Sequence, residues 1–379
     1  MTGRFPAVKL RLLALAAVLL LVPPALAATP RVNARAYLVE DGRTGEVLLA
    51  GNPRRQVPIA SITKLMTVLL TLEHSRLSDL VTVSPQAADV GESSARLQAG
   101  EQISVRDLLE AALIQSANDA AWALAEYVGR GSEPRFVVMM NRRARQLGLT
   151  DTHFVRPDGL DAAGHVSSAR DVTTLARILM RKPAVRRIVV MRDATISGGR
   201  RLHTWNDLLG SFPGVVGVKT GHTRAAGWSE IAAARGPGVT VYATVLGSPG
   251  RSQRNGDLVD LLTWGLGRFR VVQVVSASRV YARAETGYGR GTLDLVAPHS
   301  LRRAVVVGRP LVERVVAPLG VKLPVRRGDP LGEVRVYERG RLLARSPLVA
   351  ARSISKPGVL DRGGWYLKRA AHNMWGWVQ

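Results

Sequence analysis

Pro58-Ile59-Ala60-Ser61-Ile62-Thr63-Lys64-Leu65-Met66-Thr67 is the stretch on which the reading of this chain turns. Pro58 stops a strand-like pattern. From Ser61 onward Ile62, Leu65, Met66, Leu69, Leu70 and Leu72 recur at helical spacing with no Gly or Pro between them, which predicts a mostly buried helix with Ser61 at its start. Ser61 and Lys64, three residues apart, then share one helix face. Ser-x-x-Lys alone turns up by chance about once in a chain of this length. Two further strings follow it in order, Ser116-Ala117-Asn118 and Lys219-Thr220-Gly221. Together the three supply a nucleophile, two candidate bases, an amide and an anion anchor, the parts of a serine acyl-transfer enzyme without a catalytic histidine.

Each part has a chemical reason. An exposed lysine is protonated at neutral pH, whereas Lys64 sunk in a dry cleft near other cations loses proton affinity and can take the Ser61 proton. Ser61 at a helix start also offers its backbone N–H, backed by the helix dipole, to an oxyanion. Ser116 can relay a proton, and Asn118 can position Lys64 and hold a substrate amide. Lys219, followed by Thr220 on a strand, offers a fixed cation to a substrate carboxylate, and Gly221 leaves room for a substrate lying antiparallel along that strand. Taken singly, Ser61 reads as an N-cap, Lys64 as a solvated helix residue, and the other two strings as a helix break and a strand ending in a turn. Jointly and in order, the catalytic reading is the better one.

Working outward, Ala36-Tyr37-Leu38-Val39 and Glu46-Val47-Leu48-Leu49 read as two short strands around the Gly42-Arg43-Thr44-Gly45 turn. A helical region from 104 to 129, with Ser104 as its N-cap, is interrupted at Ser116-Ala117-Asn118. Asn141 to Leu147, Ala169 to Met180 and Val259 to Phe269 read as further helices. Gly217 to Thr220, Trp228 to Ile231 and Val239 to Leu246 read as strands. The expected fold is α/β (α+β), an antiparallel sheet flanked by helices, over residues 28–275. After 275 short Val- and Leu-rich runs broken by Gly and Pro predict a small all-β domain over 276–360. That segment carries sixteen Lys/Arg against six Asp/Glu and so much of the basic surplus.

The two ends of the chain read differently. Arg4, Lys9 and Arg11, the apolar run Leu12 to Val22, Pro23-Pro24 and Ala25-Leu26-Ala27 predict a secretory leader over 1–27, with Ala28 as first mature residue. In a helix over 361–379, Tyr366, Leu367, Ala370, Ala371, Met374, Trp375, Trp377 and Val378 fall on one side. Lys368, Arg369, His372, Asn373 and Gln379 fall on the other, which suits a helix lying in a membrane interface. Cysteine is absent, so disulfides and thiolate chemistry are excluded. The formal charge of +24 suggests a nucleic-acid partner. Export and the lack of interleaved aromatics argue instead for no nucleic acid and an anionic envelope surface. His74, His153, His165, His203 and His299 show no metal-ligand spacing, and neither a metal nor a cofactor is expected.

The chain resembles the low-molecular-mass penicillin-binding proteins of the serine D-Ala-D-Ala carboxypeptidase family. The resemblance is carried by the segment quoted first and by Ser116-Ala117-Asn118-Asp119-Ala120-Ala121. Thr152-His153-Phe154 with Pro157-Asp158-Gly159-Leu160 adds to it, as does Gly217 to Thr223 with Ala226-Gly227. Pro324-Val325, Ser346 to Val349 and the tail extend it over nearly all of the mature chain. It implies that Ser61 is acylated by the penultimate D-alanine carbonyl of a peptidoglycan stem peptide, that Lys64 is the base and that β-lactams acylate Ser61. It further implies an oxyanion hole from the N–H groups of Ser61 and His222, carboxylate binding by Lys219, and a second cation at Arg254, for which Arg251 competes. By the same resemblance the site lies on the periplasmic face of the cytoplasmic membrane, with the tail helix on the inner-membrane surface and the β domain as a stalk. Ala117 stands where many relatives carry Gly, and His222 where many carry Tyr or Thr. The rivals are an endopeptidase of the same family, a β-lactamase, and a non-catalytic wall-binding protein. Glu126 and Glu133, the only glutamates between Asn118 and Lys219, lack the Glu-x-x-x-Asn setting a β-lactamase needs.

Overall fold

Ala36–Asp41 (β1) and Val47–Gly51 (β2) pair antiparallel across the expected turn. The Asp41 carboxylate closes that turn by accepting from Arg43 N at 2.8 Å and Thr44 Oγ1 at 2.9 Å, the bonding that makes Asp a turn former. The strand pair belongs to a five-stranded antiparallel sheet with Val215–Thr223 (β3), Gly227–Gly236 (β4) and Val239–Ser248 (β5), in the order β2-β1-β5-β4-β3. β3, which carries the Lys-Thr-Gly string, is therefore an edge strand with one row of backbone groups unpaired within the sheet.

The sheet is covered on both faces. Helix Arg251–Gly267 (α4) lays Gly265 against Val39 and Val241. Helix Ala169–Leu179 (α3) bonds its Thr173 hydroxyl to that of Thr244 at 2.6 Å. Val241 and Thr244 are three apart on β5 and so point to opposite faces. On the α3 side lies the helical lobe, built on Lys64–His74 (α1) and Asn118–Val128 (α2), with Leu65, Met66, Leu69, Leu108 and Leu124 fully buried. Burying each such side chain contributes about 1.5–3 kcal/mol, so α1, buried continuously from Lys64 to Thr71, is among the most firmly held elements. Ser104 caps the helix Val105–Glu110 as expected, accepting from Asp107 N at 3.1 Å.

The computed structural model describes residues 12–19, 28–358 and Trp365. The chain divides between Arg268 and Phe269, seven residues before the expected boundary. The strand Phe269–Val275 finds its partner, Leu301–Val306, in the second unit; its apolar run continues that of α4, which hides the division in the sequence. Apart from one 3-10 turn and the helical residue Trp365, the second unit is all-β among the described residues, with its own core of Leu293, Leu295, Val305, Val334, Val336 and Leu348. Leu12–Leu19, expected to be part of a leader, is extended and pairs antiparallel with Leu311–Pro318 in this unit. Apart from Trp365, the tail helix expected over 361–379 lies outside the described residues. Among the described residues no helix is long and apolar enough to cross a membrane.

Candidate active site

The α-helix begins at Lys64, and Ser61 lies in the tighter 3-10 turn Ala60–Thr63 that leads into it. The difference from the expected helix start is useful. In a 3-10 turn residues i and i+3 eclipse one another, and Ser61 Oγ comes to 2.9 Å from Lys64 Nζ. Lys64 is fully buried, and its ammonium also donates to Asn118 Oδ1 at 2.7 Å and to the Asp158 carbonyl at 2.7 Å. All three acceptors are neutral. Burial therefore lowers its pKa to about 8, against the opposing pull of the Asp158, Asp119 and Glu92 carboxylates.

The segment 156–160 explains why Asp158 does not hold the lysine more strongly. The Asp158 carboxylate is taken by Arg156 at 2.6 and 2.8 Å, Trp122 Nε1 at 2.7 Å and Leu160 N at 3.1 Å. Burial alone would raise its pKa, but the Arg156 hydrogen bonds and Lys64 outweigh that and hold it below the usual value. Gly159, at φ +87°, lies so close to the Ala60 carbonyl that no side chain fits. The sequence alone assigns Pro157-Asp158-Gly159-Leu160 no role. In the fold it carries the third acceptor of Lys64 and supports the turn that holds Ser61. Thr63 is fixed by His165, whose Nδ1 accepts from Val155 N at 3.0 Å, so that Nε2–H faces Thr63 Oγ1 at 2.7 Å. Burial lowers the His165 pKa to about 4 and keeps the ring neutral.

The second string ends a π-helical turn, Ala111–Gln115, with Ser116 left-handed at φ 66°, ψ 28°. That conformation, uncommon for a residue with a side chain, brings Ser116 Oγ to 2.9 Å from Lys219 Nζ. Asn118 is anchored through its backbone N to Ser93 O at 2.7 Å and through Nδ2 to Gly91 O at 2.9 Å. Among the described residues one N–H of its amide has no acceptor and is left for a further one.

Lys219 is 2 % exposed and also donates to Thr220 O at 2.9 Å. Burial, and next the charge of Lys64, push its pKa well below the usual lysine value. A side chain at Gly221 would meet Ile59 O at 2.8 Å and Ile62 N at 3.2 Å, so the chain's own nucleophile segment by itself requires glycine there. His222 pairs across the strands with Trp228 and stacks on it at 4.0 Å. Arg254 is 1 % exposed, with Nε 3.1 Å from Glu230 Oε2 and a terminal nitrogen 3.3 Å from Asp207. Arg251, more exposed, holds Asp207 at 2.5 and 2.8 Å.

A cleft of about 240 Å³ brings Ser61, Ser116, Asn118, Thr220, Gly221, His222, Arg251 and Arg254 to one wall system, with Lys64 and Lys219 buried behind it. Sequence reasoning missed Glu92, Trp205 and Trp228, which also line it, and Asp207 and Glu230 behind Arg254. The signal for Glu230 was present, a lone acid before the run Ile231-Ala232-Ala233-Ala234. A larger cavity of about 530 Å³, lined among others by Arg43, Arg177, Arg181, Arg186 and Arg235, has no serine beside a buried lysine in its lining, so volume does not mark the site. What the cleft can do is clear from its parts: a serine beside an amine of lowered pKa, backed by buried cations, suits acyl transfer.

Residues 24–250 match the family model of D-alanyl-D-alanine carboxypeptidase. The chain belongs to that family. It is 32 % identical to the D-alanyl-D-alanine carboxypeptidase DacD of Salmonella typhimurium over 358 residues, which span 90 % of this chain and 92 % of the relative. Among solved structures it resembles penicillin binding protein 5 from Haemophilus influenzae, with a TM-score of 0.64 at 27 % identity, covering 87 % of this chain and 100 % of that one. Penicillin binding protein 6B from Escherichia coli gives 0.63 at 30 % identity, covering 86 % and 98 %. The resemblance read from the motifs is thus shown at the level of family and fold, and the mixed fold with its antiparallel sheet agrees with it.

Proposed function

We propose that the protein is a serine D-Ala-D-Ala carboxypeptidase that removes the terminal D-alanine from peptidoglycan stem peptides and is acylated by β-lactams. The observation that carries this is the 2.9 Å contact between Ser61 Oγ and a fully buried Lys64 Nζ whose other acceptors are neutral. Unprotonated Lys64 takes the Ser61 proton as Oγ attacks the carbonyl of the penultimate D-alanine. The N–H groups of Ser61 and of His222, the latter on an edge strand, hold the oxyanion. The C–N bond breaks as the D-alanine nitrogen receives a proton, by way of Lys64 or the Ser116–Lys219 pair. Water then hydrolyses the ester and returns Ser61. Asn118 orients Lys64 and a backbone amide of the substrate, while Lys219, Thr220 and Arg254 receive the terminal carboxylate.

The β-lactamase reading loses support from the glutamates: Glu126 accepts from Ser84 Oγ, and neither it nor Glu133 lines the cleft. An endopeptidase remains the reading to test against. D-Alanine release from a pentapeptide ending in D-Ala-D-Ala is expected for the wild type and absent in Ser61→Ala. No release by a wild type that still binds penicillin at Ser61 would favour cross-linked substrates. If neither occurs, the fold serves binding alone.

The leader motif supports export, and the pattern over 361–379 supports attachment at the periplasmic face of the membrane. Deleting 361–379 should release the protein from membrane fractions, and high salt should weaken any charge-dependent part of that attachment. Unchanged partitioning would contradict the tail's role.

A further inference from the structure

Glu230 is fully buried on β4, directly opposite Thr220 on β3. Cross-strand partners project on the same face, and helix α4 covers β4, so Thr220, Glu230 and Arg254 form one stack behind the cleft. The Glu230 Oε2 atom is 3.1 Å from Arg254 Nε, and neither carboxyl oxygen gains an aligned hydrogen bond from the described residues. A carboxyl in that setting is costly to bury, and its one close charged partner among the described residues is the cation that faces the substrate-carboxylate end of the cleft.

We propose that Glu230 is a positioning residue for recognition of the substrate's terminal carboxylate. It fixes the Arg254 side chain against Trp228 and Thr220, and when ionised it offsets part of the positive charge of Lys219 and Arg254. This rests on the carboxypeptidase reading and adds to it a group that no motif contains. The charged groups that face Glu230 are Arg254 and Arg251 on α4, Lys219 on β3 and Asp207 on the loop before β3. Burial raises the Glu230 pKa to about 7, with Arg254 opposing and Asp207 adding to the rise. The sign follows. Below about 7 the carboxyl is neutral and the subsite carries its full positive charge. Above it, Glu230 is ionised and attracts part of that charge away from a bound anion. Loss of the Lys219 proton at rising pH acts in the same direction, so the Gln variant is needed to separate the two.

The test compares acylation rates by a penicillin bearing its free carboxylate and by its methyl ester, as a ratio, at pH 6 and pH 8. Both probes use Ser61 and Lys64, so the ratio isolates carboxylate recognition. In the wild type the ratio should fall from pH 6 to pH 8 by about three- to tenfold, the effect of one partly screened buried charge. In Glu230→Gln, which keeps an oxygen for Arg254 but no charge, the ratio should match the wild type at pH 6 and exceed it at pH 8. In Glu230→Leu, which frees Arg254, it should fall at both pH values while the ester rate stays near that of the wild type. A wild-type ratio that is flat from pH 6 to pH 8 overturns the proposal without any variant. So does a Gln variant that tracks the wild type at both pH values, or one that loses carboxylate preference as the Leu variant does. Failure of both probes to label Ser61 in the wild type would count against the carboxypeptidase reading instead.

Discussion

At one end of the cleft Lys64 is enclosed by a hydroxyl, an amide oxygen and a carbonyl, with the nearest carboxylate, that of Asp158, turned toward Arg156 and Trp122. At the other end Lys219 has a hydroxyl and one carbonyl, with Arg254 and the buried Glu230 nearby. Both lysines are buried, yet their surroundings differ in what they leave unfinished. Lys64 has its acceptors filled and needs only to lose a proton to act as a base. Lys219 lacks a full counter-charge, which in the proposed function an arriving carboxylate supplies. Burial lowers both pKa values; what separates a base from an anion anchor is the company each side chain keeps.

The sharpest way to break this comparison is to remove each lysine in turn. Lys64→Met should slow acylation by penicillin and by its methyl ester alike, by at least about a thousandfold. Lys219→Met should slow the carboxylate-bearing compound far more than the ester. Equal losses in both variants would erase the distinction.

Next in size are the glycines that hold each end. Gly159→Ala places a side chain into the Ala60 carbonyl at positive φ and should cost about 3 kcal/mol or prevent folding, read as a fall in Tm. Gly221→Ala meets Ile59 O at 2.8 Å without a positive φ and should cost about 1–3 kcal/mol. The reverse order would mean that the nucleophile turn is braced by the strand rather than by the 156–160 segment. Smallest is Trp122→Phe, which removes one hydrogen bond to Asp158 and should cost about 1 kcal/mol in thermal stability with acylation little changed. A large loss of acylation there would show that Asp158 controls Lys64 more tightly than its carbonyl contact implies.

Much of the site was legible because its chemistry is local. Ser61 and Lys64 are one turn apart, and the break at Ser116-Ala117-Asn118 showed that a helix was being interrupted. The two strands around the Asp41 turn and β3 to β5 were legible from their apolar runs and turns. What escaped depends on contacts distant in sequence. The Asp158 carbonyl reaches Lys64 across 94 positions. Asp207 reaches Arg254 across 47. A backbone carbonyl has no residue signature at all, and the strand alone does not reveal Ile59 lying against Gly221. The unit boundary was missed for a related reason: Phe269–Val275 continues the apolar run of α4, and only its pairing with Leu301–Val306 assigns it to the second unit.

The most direct test of the account is the pH profile of Ser61 acylation, followed by the mass of the intact protein after brief exposure to penicillin methyl ester, with the labelled residue mapped. In the proposed mechanism Lys64 acts in its unprotonated form, and burial lowers its pKa to about 8. The rate should therefore rise by up to about tenfold per pH unit below 8 and level off above it, with the label on Ser61. A rate flat from pH 6 to pH 9, or a label on another residue, would contradict the assignment of Ser61 and Lys64 as the acylating pair.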